Sequence, residues 1–144
     1  MRNVSDMLRR KGSKVTTVAS NTRVIDALEI MAHQNIGSVV IADNGIFKGI
    51  MTERDYSRKV VLKHKSSAEC TVAEIMTVAN DFPIIHLTDT VDACMKLMSD
   101  KNLRYLPVMN EAELAGIISI NDVVTETILI QRETIEQLQN YIQS

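Results

Sequence analysis

The sequence predicts an α/β (α+β) fold made of one β-α-β-β-α unit written twice and ended by an extended helix. Three observations predict it. The chain matches itself at a shift of 67 residues, the apolar periodicity changes in the same order in both copies, and a helical apolar pattern runs on past the second copy. With 144 residues, 45% of them hydrophobic and 24% charged, the chain fits one domain or two small halves that share a core.

At that shift Val24 falls on Val91, Met31 on Met98, Asn35 on Asn102, Gly49 on Gly116, Ile50 on Ile117 and Asp55 on Asp122. The apolar register agrees too, at Val18/Ile85, Leu28/Met95, Ile36/Leu103, Val39/Leu106, Ile41/Val108 and Phe47/Leu114. A buried face must be reproduced for this to happen, so it weighs more than the identities.

Each copy opens on a short extended stretch, Val15 to Val18 and then Phe82 to Ile85. A helix is expected next, because Val24, Ala27, Leu28 and Met31, like Val91, Cys94, Met95 and Met98, recur at i, i+3, i+4 and i+7. Asn21-Thr22 and Thr88-Asp89 stand where N-caps belong. Ser38 to Ala42, the turn Asp43-Asn44-Gly45 and Phe47 to Met51 read as a β-hairpin. Tyr105 to Met109 and Leu114 to Ser119 repeat it around a glycine-free turn, and each hairpin runs into a helix at Thr52 or Ser119.

A lead-in helix precedes each unit, Val4 to Leu8 and Val72 to Met76, and the polar stretch Lys63 to Glu69 reads as a surface connection. The expected boundaries are residues 1–66 and 67–130, each a repeat with its lead-in helix, and 131–144, the extension. In the last helix, apolar residues continue at Val124, Ile128, Ile135, Leu138 and Ile142, with Gln131 in the gap. That seam needs covering, by a second subunit or by its own domain.

Sixteen Lys plus Arg against 18 Asp plus Glu leave a net charge of -2, without the basic surplus that duplex binding uses. An aromatic content of 3% argues against base stacking on single strands. No apolar run nears the roughly 20 residues that cross a bilayer, and residues 1–10 are too polar for a secretory signal, so a cytoplasmic protein is expected. Cys70 and Cys94 read as free thiols, Cys94 in the core. His33, His64 and His86 have no ligand spacing, GxGxxG and GxxxxGK are absent, and neither a metal nor catalysis is expected.

Two segments remain, Gly49-Ile50-Met51-Thr52-Glu53-Arg54-Asp55 and Gly116-Ile117-Ile118-Ser119-Ile120-Asn121-Asp122. A hydroxyl followed three residues later by an acid is a capping box. The same geometry also presents amides, a hydroxyl and a carboxylate to one point at a helix N-terminus, which suits a nucleoside whose ribose hydroxyls donate to the acid. Arg54 and Arg104 are the cations available to a phosphate.

With Val24-x-x-Ala27-Leu28-x-x-Met31, Asn35-Ile36-Gly37 through Ile41, Gly49 through Asp55, and Leu103-Arg104-Tyr105-Leu106-Pro107-Val108 through Asp122, the chain resembles the cystathionine β-synthase (CBS) domain pair, or Bateman module, from about Val4 to Ile128. The resemblance implies two β-α-β-β-α units packed with pseudo-twofold symmetry, homodimerisation, and two clefts for adenosine-containing ligands. It implies AMP first, with ATP, ADP, NAD or S-adenosylmethionine as alternatives, and sensing in place of catalysis.

Carried over by residue, one cleft uses Pro83, Leu103, Arg104 and Tyr105 with Ile50, Thr52, Arg54 and Asp55. There Asp55 holds the ribose, Thr52, Arg54 and Arg104 the phosphate, and Pro83 and the apolar residues the adenine. The other uses Thr16, Ile36, Gly37 and Ser38 with Ile117, Ser119, Asn121 and Asp122, and gathers no Arg, with Lys14 as the cation able to approach it. Two guanidiniums against none direct a phosphorylated ligand to the first. Val40 stands where the second half has Pro107, a departure in the Arg-poor cleft. The alternative is a structural or oligomerisation module that docks a partner protein, its capping boxes only stabilising helices.

Overall fold

The computed structural model describes residues 2–12 and 14–143. In chain order it contains α1 (Val4–Lys11), β1 (Thr17–Val18), α2 (Val24–Gln34), β2 (Ser38–Asp43), β3 (Ile46–Thr52), α3 (Glu53–Tyr56), a π-helical turn (Ser57–Val61), α4 (Val72–Ile75), β4 (Thr77–Val78), a 3-10 turn (Ala79–Asp81), α5 (Val91–Lys101), β5 (Tyr105–Asn110), β6 (Glu113–Ser119) and α6 (Ile120–Gln143). The expected mixed α+β fold with two hairpins and a long last helix is present.

The chain forms two compact units. One is Val15–Phe82, and the other joins Met1–Lys14 to Pro83–Ser144. These units do not follow the linear boundary at 66/67, because each lead-in helix sits with the other repeat. The α1 amides of Val4 and Ser5 donate to the carbonyls of Asp89 and Leu87 (2.9 and 2.9 Å), and those of Val72 and Ala73 in α4 to Thr22 and Ser20 (2.8 and 3.3 Å). Orphan amides of a helix start need acceptors, and these carbonyls supply them.

In the unit Val15–Phe82 the sheet order is β1-β2-β3-β4, with β1 parallel to β2 and the remaining pairs antiparallel. Asn44 and Gly45 both take positive φ (51° and 79°), the requirement of a tight hairpin turn. Val18, Val24, Ala27, Met31, Val39, Ile41 and Met51 share the core with Val72 and Ile75. The short strand β4 was not legible in advance. It lies so close to β3 that a Cβ on Gly49 would stand 2.4 Å from the Thr77 carbonyl oxygen, so only glycine fits there.

In the other unit the sheet formed by the described residues pairs β5 with β6. The extended stretch expected at Phe82 to Ile85 forms no strand, and the departure at Pro107 explains why. In the first repeat the Val40 amide donates to the Thr16 carbonyl at 2.9 Å. Pro107 replaces Val40 and has no N–H to donate, so the corresponding rung to Pro83 cannot form. One bond survives, from the Met109 amide to the Ile85 carbonyl at 3.3 Å. Cys94 lies in this core with Val4, Met7, Leu106, Val108 and Val123. Burial, and then the charge of Asp89, push its thiol up to about 11, so it stays protonated and inert at neutral pH.

Two caps differ from expectation. The N-cap of α2 is Arg23, which offers no side-chain acceptor, since the carbonyls of Cys70 and Ser67 receive the Val24 and Ile25 amides (2.8 and 2.9 Å). That of α5 is Thr90, whose hydroxyl accepts from the Ala93 amide at 3.1 Å. Both helices end on an asparagine in the left-handed region, Asn35 (φ 53°) and Asn102 (φ 54°), which gives a physical reason for that identity in the repeat.

α6 is about 36 Å long at 1.5 Å per residue. Its first turns are buried at Val123 and at Glu126, which is only 2% exposed and ion-paired to Arg2 (3.1 Å) and Arg10. Arg2 also reaches Glu133, so α6 and the N-terminal segment are fastened by charge. Further along, Ile135, Leu138 and Ile142 are exposed.

Candidate functional site

Each hairpin sets the start of its first strand against the end of its second. Ser38 is opposite Thr52, and Tyr105 opposite Ser119. The first helical amide is then held by the residue before the strand: Glu53 donates to the Gly37 carbonyl at 3.2 Å, and Ile120 to that of Arg104 at 2.9 Å. Within the first unit this gathers Ile36, Gly37 and Ser38 with Thr52, Arg54 and Asp55, and within the second, Leu103, Arg104 and Tyr105 with Ser119, Asn121 and Asp122. Ile50 and Ile117 alternate with the core residues Met51 and Ile118 and so point to the opposite face of each hairpin. Both are buried.

Both hydroxyl-x-x-Asp segments form capping boxes. Asp55 Oδ2 accepts from the Thr52 amide (3.0 Å) and hydroxyl (3.1 Å), and Thr52 Oγ1 accepts from the Asp55 amide (3.1 Å). Asp122 Oδ2 accepts from the Ser119 amide (2.8 Å), and Ser119 Oγ from the Asp122 amide (3.2 Å). These carboxylates therefore stabilise helix starts whatever else they do.

Two residues absent from the sequence reading complete the picture. Lys59 Nζ lies 3.0 Å from Asp55 Oδ1 and donates to the Ile75 carbonyl at 2.9 Å. Lys11 Nζ lies 2.6 Å from Asp122 Oδ2 and donates to the Ile117 carbonyl at 2.8 Å. Lys59 stands four residues after Asp55, a spacing that marks a helical ion pair and that could have been read. Lys11 is 111 positions from Asp122, and only tertiary structure joins them. Lys14, the cation expected near Asp122, is exposed and forms no ion pair with a described residue.

Neither Arg54 nor Arg104 is ion-paired within the described residues, which leaves each guanidinium available to an external anion. The Thr16 hydroxyl donates to Gln34 Oε1 at 2.6 Å. Pro83 is half-buried at the point where the ladder rung is lost. No helix of the described residues is long and apolar enough to cross a membrane.

The family profile of the CBS domain matches residues 4–61 and 72–128. The chain belongs to the CBS domain family. CBS domain-containing protein CBSX3 of Arabidopsis thaliana, labelled mitochondrial, is 33% identical over 147 residues, covering 97% of this chain and 71% of the relative. The solved CBS-domain containing protein ATU1752 from Agrobacterium tumefaciens is 35% identical with a TM-score of 0.81, over 88% of this chain and 99% of that one. The CBS domain pair of protein MJ0100 is 26% identical with a TM-score of 0.74, over 88% and 96% of the chains. It was solved with 5'-methylthioadenosine and S-adenosyl-L-methionine bound. CBS domain pairs generally bind adenosine-containing ligands in a regulatory capacity, and proteins built from such a pair alone are generally regulatory and not catalytic.

Proposed function

We propose that this CBS domain pair senses an adenine nucleotide, AMP foremost and ATP, ADP, NAD or S-adenosylmethionine as alternatives, and passes the occupancy to a regulated partner protein without catalysing a reaction. The carrying observation is the duplicated carboxylate at a helix mouth, Asp55 and Asp122, each held in the same capping-box geometry. Asp55 serves the ribose, with Thr52, Arg54 and Arg104 at the phosphate and Pro83, Leu103, Tyr105 and Ile50 around the base. A second ligand draws on Asp122, Ser119, Asn121 and Ile117 with Lys14, Thr16, Ile36, Gly37 and Ser38. The guanidiniums of Arg54 and Arg104, without an ion pair among the described residues, support a phosphorylated ligand for the Asp55 set. A ligand regulates only by binding one arrangement better than another.

Titration of the purified chain with AMP, ATP and NAD by calorimetry tests this reading. Ligand at about 100 times its dissociation constant should stabilise the fold by about 2.7 kcal/mol. No heat and no thermal shift at millimolar nucleotide would count against it, and mass spectrometry of the copurifying small molecule would name the ligand.

The second reading, an oligomerisation module without ligand, is favoured by the exposed seam Ile135, Leu138 and Ile142 on α6. Homodimerisation through this seam is also part of the first reading. Removing residues 131–144 should convert the dimer to monomer in light scattering, and an unchanged mass would assign the contact elsewhere. A cytoplasmic setting belongs to the same proposal, supported by two buried free thiols.

A further inference from the structure

The shift that aligns Asp55 with Asp122 also aligns Lys59 with Glu126. The charge one helical turn beyond the carboxylate is thus reversed between the repeats, and the two acids are held by different lysines. Lys59 follows Asp55 on the same helical run, whereas Lys11 arrives from α1.

They also take different oxygens. An ionised carboxylate offers about four lone-pair positions. At Asp55, the Thr52 amide and hydroxyl fill Oδ2, and the Lys59 ammonium stands 3.0 Å from Oδ1 as an ion pair, crowding the oxygen that is left for the ribose. At Asp122, the Ser119 amide and Lys11 share Oδ2, and Oδ1 accepts from no described residue. Two ribose hydroxyls can therefore be received at Asp122 as it stands. At Asp55 the lysine must first let go, and it keeps the Ile75 carbonyl when it does.

We propose that Lys59 is a built-in competitor of the ligand's ribose at Asp55, which makes the two carboxylates unequal receivers of the same nucleoside. The inference rests on the adenosine-ligand reading above. The ion pair is partly solvated, with Lys59 45% and Asp55 12% exposed, which limits the competition to about fivefold in affinity.

Adenosine carries no charge, so salt acts on its binding through the ion pairs that the protein gives up. Calorimetric titration of the full chain with adenosine, from about 50 to about 500 mM salt, should show tighter wild-type binding as salt rises. Lys59→Met should bind about fivefold tighter than wild type at low salt, with that salt response gone. Lys59→Gln, also uncharged, serves the same purpose if the Met variant melts early. Equal affinity and equal salt response in wild type and variant, or weaker binding by the variant, would overturn the inference while leaving the nucleotide reading intact. Absence of adenosine binding in every form would remove the nucleotide reading itself.

Discussion

Asp55→Asn should weaken AMP binding about a hundredfold. Two hydrogen bonds from ribose hydroxyls to a charged acceptor are each worth about 1.5 kcal/mol or more, and each 1.4 kcal/mol is tenfold in affinity. The same substitution disturbs the capping box and the Lys59 pair, so it also costs about 1 kcal/mol of stability in ligand-free protein. The melting temperature of the apo protein should therefore fall a little under either functional reading, and affinity is the measurement that separates them. Calorimetry of Asp55→Asn with AMP unchanged from wild type would leave the carboxylate as a cap and nothing more.

Loss of both arginines on Glu126 should produce the largest stability effect. With Arg2 and Arg10 present, a carboxylate that is 2% exposed is compensated from two sides. In the double variant Arg2→Ala/Arg10→Ala it is buried and unpaired, which costs about 3 kcal/mol. The guanidiniums are 33% and 39% exposed, and that places the cost at the lower end of the buried-pair range. For a chain of this length the melting temperature should drop by about 10 °C. Adding Glu126→Met removes the stranded charge and should recover most of the loss, because an apolar side chain of similar volume tolerates the site. A double variant melting within about 2 °C of wild type would show that water already compensates Glu126.

Much of this architecture was readable because it is local. Helix stripes in α2 and α5 depend on the spacing of apolar residues, and the first hairpin turn on Asn44-Gly45 taking positive φ. The identity Asn35/Asn102 marks two left-handed helix ends. Even the failed strand at Phe82 to Ile85 had its cause in view: Pro107 removes the donor that Val40 supplies in the first repeat. The cap of α2 differs from the local reading because distant carbonyls, Cys70 and Ser67, satisfy amides that such a reading assigns to a side chain, whereas that of α5 stays local and falls on the next hydroxyl, Thr90.

In the candidate site the same division holds. The sequence by itself determined the duplicated unit, the capping boxes at Asp55 and Asp122, the helical spacing from Asp55 to Lys59, and the family that these motifs mark. Tertiary structure alone decided that each lead-in helix joins the opposite repeat, that Lys11 and not Lys14 reaches Asp122, and that Glu126 is buried under Arg2 and Arg10. Periodicity and capping are set by neighbours within a few residues. A charge pair spanning 111 positions follows from which surfaces the whole chain must cover, and no local pattern encodes it.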